Sequence, residues 1–190
     1  MFLLNDIKIL EFVSENPPRY LGIKQFDNNQ LQHTSYYFRL GPFYSSRASD
    51  QWTELSSKNQ ILELKPGDYF KVQSFESFWL SEKIIGFFGA SSDIVSLGLR
   101  LIHAPFIDPL YDGPLVLGLH NQLKEPISIK FGDPLGKVCF FDISDTYPVQ
   151  KREKSSFAAK LEYRSRIREL FKLPDWVQDE DVVDFLKERE

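Results

Sequence analysis

The chain has 190 residues, enough for one domain with a full core or for a domain plus an appendage. Its 23 Lys and Arg against 27 Asp and Glu leave a net charge of −4, so no long-range basic field advertises nucleic acid or anionic lipid. Hydrophobic residues at 42% and aromatics at 15% exclude a disordered chain, and a single cysteine, Cys139, excludes an internal disulfide and the Cys-x-x-Cys zinc sites of metal-dependent base deaminases.

At the start, Met1-Phe2-Leu3-Leu4 lacks a basic flank and meets Asn5, Asp6 and Lys8 too soon for a secretory signal. Nowhere does an apolar run approach the roughly 18 residues that cross a bilayer. A soluble, cytoplasmic chain is expected, with neither membrane nor nucleic acid among its partners. Residues 5–15 read as a short helix, capped by Asn5 or Asp6, with Ile7, Leu10 and Phe12/Val13 as its apolar stripe. Pro17-Pro18 ends it.

From Ile23 to about Ser144 short apolar runs follow one another: Ser35–Leu40, Ile61–Leu64, Tyr69–Phe75, Lys83–Phe88, Leu99–His103, Leu115–Leu119, Ile127–Ile129 and Lys137–Ile143. Gly41-Pro42, Pro66-Gly67-Asp68, Asp112-Gly113 and Gly132-Asp133-Pro134 punctuate them. Many short strands at this spacing predict a mainly antiparallel β sandwich or barrel. No Gly-rich phosphate loop and no fixed-period repeat interrupts the pattern. Cys139, in Val138-Cys139-Phe140-Phe141, reads as core packing.

Near residue 150 the composition shifts. Lys151-Arg152-Glu153-Lys154 is a charged link, Ser155-Ser156 caps a helix to about Phe171, and Asp179–Glu190 reads as a second helix after Pro174. The expected division is a β domain over 1–150 and a helical extension over 151–190. That extension is either a cap on the β core or, through 155–190, an arm for a protein partner.

Two stretches are more specific. One is Leu31-Gln32-His33-Thr34-Ser35-Tyr36-Tyr37-Phe38-Arg39-Leu40-Gly41. The other runs from Gly89-Ala90-Ser91-Ser92 through Leu97-Gly98-Leu99 to Phe106-Ile107-Asp108-Pro109-Leu110-Tyr111-Asp112-Gly113 and on to Leu115-Val116-Leu117-Gly118-Leu119-His120-Asn121. Together they resemble the dCTP deaminase branch of the dUTPase superfamily, with its L-Q-P-A-S-Y-D-L-R-L-G, G-R-S-S-L-A-R-L-G-L and F-I-D-P-G-F-x-G-x-I-x-L-E-L patterns. The resemblance implies a mainly β fold, a distorted antiparallel barrel or jelly roll of the dUTPase-like type. A short N-terminal helix and a C-terminal helical tail complete it. It also implies a homotrimer with deoxynucleotide pockets between subunits.

By that resemblance Ser91 and Ser92 match phosphate-contacting serines; the alternative is a solvated turn. Asp108 matches a carboxylate near the sugar 3′-hydroxyl, which in the dUTPase branch orients the attacking water; Asp before Pro also starts turns. Tyr111 matches the aromatic beneath the deoxyribose, or is ordinary core. Ala104 and Phe106, just before Asp108, fall in the same nucleotide-binding segment. Tyr147 and Lys154 have the spacing of a phosphate-binding Tyr and Lys. A bound triphosphate would bring Mg²⁺ with it, which needs few protein ligands; no zinc and no protein metal site are expected.

The chemical positions depart from the pattern. The strand that carries the family's proton-shuttling glutamate reads Val116-Leu117-Gly118-Leu119, placing Gly118 at that position. Loss of a positioned acid/base typically lowers rate about 10²–10⁴-fold. Ala90 stands for one family arginine, Val95 or Ser96 for the other, and Tyr37 for an aspartate. Strand alternation puts His120 on the face of Gly118 as a replacement base, or as a structural histidine. Asp93 is a second new carboxylate, or the cap of the turn that follows. Three readings stay open: a deoxynucleoside triphosphate binder with deamination lost or reduced; an active divergent dCTP deaminase or dUTP pyrophosphatase using Asp108; and a structural trimer with a dead pocket. The glycine-free tail argues against a flexible lid for the pyrophosphatase.

Overall fold

In the computed structural model residues 1–46, 51–55 and 60–145 are described. They belong to the first of two units, Met1–Pro148 and Val149–Glu190. The helices expected over 155–171 and 179–190 lie outside the described residues, as do Tyr147 and Lys154.

The chain opens with β1 (Phe2–Leu3), α1 (Asp6–Val13), β2 (Leu21–Lys24) and β3 (Leu31–Gln32). The long strand β4 (Ser35–Ser46) is followed by β5 (Thr53–Glu54), β6 (Ile61–Leu64), the equally long β7 (Tyr69–Leu80) and β8 (Ile84–Ala90). A single short helix, α2 (Ser92–Ser96), leads to β9 (Leu99–Ile102), β10 (Phe106–Ile107) and β11 (Asp112–Asn121). The described residues close with β12 (Ile127–Lys130) and β13 (Pro134–Asp142). Eleven strands form one curled antiparallel sheet along the path β10-β8-β13-β4-β7-β11-β9, while β12 and β6 pair separately.

Period-two burial explains why these segments are strands. Tyr36, Phe38 and Leu40 of β4, Phe78 and Leu80 of β7, Leu115, Leu117 and Leu119 of β11, and Val138 and Phe140 of β13 all point into one core. Each such side chain contributes about 1.5–3 kcal/mol of transfer free energy. No helix among the described residues is long and apolar enough to cross a membrane.

Of the two caps the sequence offers for α1, Asn5 is the one used, its side chain accepting from the Lys8 amide at 2.9 Å. Other expectations are corrected. The buried stripe of α1 is Ile9 and Phe12; Ile7 is 72% and Leu10 42% exposed, because the i, i+3 row that the helix turns inward lies two positions along from theirs. Gly41-Pro42 does not end its strand. β4 runs through it with an irregular register against β7 between Leu40 and Tyr44. A Cβ at Gly41 would lie 2.9 Å from the carbonyl oxygens of Gln73 and Ser74, so only glycine lets the two backbones approach there. Asp112-Gly113 likewise opens β11 rather than breaking it. Cys139 sits opposite Phe87 on the face away from buried Val138 and Phe140, and is half-buried rather than in the core.

Candidate functional site

The serine pair sits where β8 hands over to α2. Ser91 is fully buried and is the N-cap of the helix. Its hydroxyl accepts from the Ile94 amide at 3.3 Å and donates to the Pro134 carbonyl at 3.3 Å. The cap expected of Asp93 is therefore supplied by Ser91, and Asp93 lies exposed in the first turn, complementing the helix dipole. Ser92 is exposed beside it.

The second group follows β9. Ala104 is exposed, its carbonyl 3.1 Å from His103 Nδ1. Phe106 is 57% exposed and packs its ring 4.5 Å from that of Phe87. Asp108 is exposed, and its carbonyl accepts the Tyr111 amide at 3.2 Å, closing a turn. Tyr111 packs half-buried against the core and donates its hydroxyl to the Pro114 carbonyl.

The third group is the outer face of β11. Leu115, Leu117 and Leu119 face the core, so Val116, Gly118 and His120 face the other way. Across from them, β7 sets Gln73, Lys71 and Tyr69 in register with Val116, Gly118 and His120. On the opposite side, β9 sets Ile102 beside Gly118 and Arg100 beside His120. A cavity of about 460 Å³ is lined by Gly67, Tyr69, Ile102 and His120. That is within the size range of small-molecule sites. Of the candidates, His120 lines it, and Gly118 lies directly under the Tyr69 ring. A Cβ built at Gly118 would stand 2.6 Å from the Tyr69 hydroxyl, 2.8 Å from Cζ and closer still to Cε2. The space in which a side chain would leave this position is filled by a phenol. Gln73, fully buried one pair along, leaves both amide atoms without a hydrogen-bond partner among the described residues.

Behind this face a charged cluster ties β4 to β7. Glu76 is wholly buried; its Oε1 accepts from Arg39 Nε at 2.6 Å and its Oε2 from the Arg39 amide at 2.8 Å. The same guanidinium reaches Asp27 at 3.2 Å and the Gln25 carbonyl at 3.0 Å. Burial pushes the Glu76 carboxyl above its ordinary value, while the Arg39 amide and guanidinium pull it back. The Asn29 amide, and after it Arg39, hold the Asp27 carboxyl below its ordinary value. Sequence reading identified Arg39 only as a motif letter and missed Glu76, a lone acid in an apolar run. It also missed Tyr69, Ile102 and Arg100, whose alignment with Gly118 and His120 depends on strand register rather than local sequence. No group of three or more His, Cys, Asp or Glu gathers among the described residues.

The sequence profile of dCTP deaminase-like domains matches residues 4–143. A dUMP-forming dCTP deaminase of Tropheryma whipplei is 28% identical over 198 aligned positions, covering 88% of this chain and 98% of that protein. A dUMP-forming dCTP deaminase of Corynebacterium diphtheriae is 30% identical over 146 positions, covering 68% and 76%. The crystal structure of the 2′-deoxycytidine 5′-triphosphate deaminase of Agrobacterium tumefaciens superposes with a TM-score of 0.61 at 20% identity, over 73% of this chain and 48% of that one. The curled antiparallel sheet is thus the dUTPase-like barrel, and with the profile spanning nearly the whole described unit, the chain belongs to the dCTP deaminase-like family.

Proposed function

We propose that this family member binds a deoxynucleoside triphosphate at the interfaces of a homotrimer in the cytoplasmic nucleotide pool, with deamination lost or much reduced. One observation carries the reading. At the position where the family's shuttle carboxylate is expected, the backbone is glycine and the volume above it holds the Tyr69 ring, while a cavity stays open beside it. A phenol is a far weaker acid than a carboxylic acid and does not shuttle protons at neutral pH as a glutamate does. In this reading Ser92, Asp108 and Tyr111 contact the phosphates and sugar. Mg²⁺ arrives held by the phosphate oxygens.

The outer face of β1, β13, β8 and β10 supports assembly. It carries Leu3, Phe141, Ile85, Phe87 and Phe106 in adjoining register, apolar surface suited to burial against another subunit.

The test pairs binding with turnover. Stabilisation against dCTP, dUTP, dTTP and the ribonucleotides, with and without Mg²⁺, should reach about 2.7 kcal/mol at a hundred times Kd for the preferred ligand. Overnight incubations resolved by chromatography should show dCTP essentially unchanged. A second reading, favoured by the relatives' names, is a divergent dUMP-forming dCTP deaminase working through Asp108. Substantial turnover abolished by Asp108→Ala would establish it in place of the first. No stabilisation by any nucleotide would leave the trimer as a structural module.

A further inference from the structure

The face that lines the cavity carries one chemically coherent row. Tyr69 of β7, His120 of β11 and Arg100 of β9 are consecutive cross-strand partners, so their side chains leave the sheet on the same side. Tyr69 and His120 line the cavity. So does Ile102, which shares the outward face of β9 with Arg100. Arg100 is exposed and has no ion pair among the described residues. Lys71, opposite Gly118, adds a second cation to the same face, and Asp and Glu are absent from all paired positions of the row.

We propose that Tyr69, His120 and Arg100 are the ligand-reading row of the site: Arg100 takes the anionic phosphate, and the Tyr69 hydroxyl and His120 imidazole take the polar edge of the base. The inference rests on the nucleotide-binding reading and names its residues. Arginine offers a permanently charged fork that matches phosphate geometry, the capacity missing at Ala90 and at Val95 or Ser96. A phenol reads polar atoms as donor or acceptor, and Ile102 supplies an apolar wall. In this reading the position where the family's glutamate is expected is covered by a recognising group, the Tyr69 phenol, in place of a reacting one.

Calorimetric titration of the full chain with dCTP, deoxycytidine and inorganic tripolyphosphate separates the contributions. Arg100→Gln is expected to weaken dCTP and tripolyphosphate by about tenfold or more while leaving deoxycytidine within about twofold. Arg100→Lys should recover part of that loss. Tyr69→Phe should weaken dCTP and deoxycytidine by about three- to tenfold and leave tripolyphosphate untouched. Arg100 is exposed, so its variants test binding without threatening the fold. If the parent chain binds dCTP and both Arg100→Gln and Tyr69→Phe stay within about twofold of it, the row is refuted and nucleotide binding stands. If the parent chain binds none of the three probes, nucleotide binding falls and the row with it.

Discussion

Gly118→Ala adds one carbon, and the structure says where it goes. The new Cβ would lie 2.6 Å from the Tyr69 hydroxyl and 2.8 Å from Cζ. Attractive carbon contacts sit at about 3.5–4.0 Å, so the overlap is close to an ångström. The backbone itself raises no objection, since Gly118 is not among the residues of positive φ. The whole cost therefore comes from displacing Tyr69. Overpacking of this kind costs about 1–3 kcal/mol. At about 2 kcal/mol the melting temperature falls by about 4–8 °C in a domain of this size. Removing the ring should remove the cost: in a Tyr69→Ala background the same Gly118→Ala change should be neutral or stabilising, because alanine loses less backbone entropy than glycine by about 0.5–1 kcal/mol. A double-mutant cycle by urea denaturation should return a coupling of about 1.5–3 kcal/mol. Additivity within about 0.5 kcal/mol would refute the claim that Tyr69 occupies the space of the missing side chain. The same logic extends to chemistry. Gly118→Glu alone places its carboxylate against the ring, whereas Gly118→Glu with Tyr69→Ala frees it to reach the cavity, and only the double variant is expected to gain dCTP turnover by chromatography.

Three other perturbations test the framework and the serine pair. Glu76→Gln leaves the mostly buried Arg39 with Asp27 alone as its counter-charge and should cost about 3 kcal/mol by chemical denaturation, with nucleotide affinity of the folded fraction unchanged. Because Asp27 has its carboxyl held below the ordinary value, its contribution is present above the unfolded pKa, about 3.9, and is lost as pH falls through the lower folded value. The urea midpoint of the parent chain should accordingly exceed that of Asp27→Asn at pH 5 and converge on it toward pH 2.5; a constant gap would contradict this. Ser91→Ala removes a helix cap and should cost about 1 kcal/mol, visible as a lower melting temperature. Ser92→Ala, at an exposed site, should leave melting unchanged and weaken tripolyphosphate binding.

The strands were legible wherever burial alternates with period two. They were misjudged where a turn-forming pair sits inside one. Gly41-Pro42 looks like a break because proline lacks an amide donor and glycine a side chain. In the fold those two absences are what let β4 bend across β7 at an irregular register. The stripe of α1 was displaced because Ile7 and Leu10 fit the helical spacing as well as Ile9 and Phe12 do, and only the packing of α1 on the barrel distinguishes them. At the site, the shared face of Gly118 and His120 followed from alternation alone. Its neighbours did not, since Tyr69 and Arg100 come from strands whose register is set by long-range pairing. Glu76 was invisible for a related reason: a buried acid is tolerable only with a partner, and Arg39 is brought to it by the β4–β7 pairing.

A glycine in the middle of a central strand is costly, by roughly 0.5–1 kcal/mol against alanine, and something must offset that cost where it persists. With nothing packed over it, the position would accept any residue that suits a sheet, and a β-branched one best. What stands there is the one residue that lets an aromatic ring lie across the strand with its hydroxyl close to where a Cβ would sit. The ring recovers burial for Gly118, which is buried although it lies on the outward face of β11. It also keeps a polar atom at the rim of a cavity that His120 and Ile102 still shape. Gly118 and Tyr69 are therefore best understood as one feature of the strand pair, a residue without a side chain and the ring that fills its space.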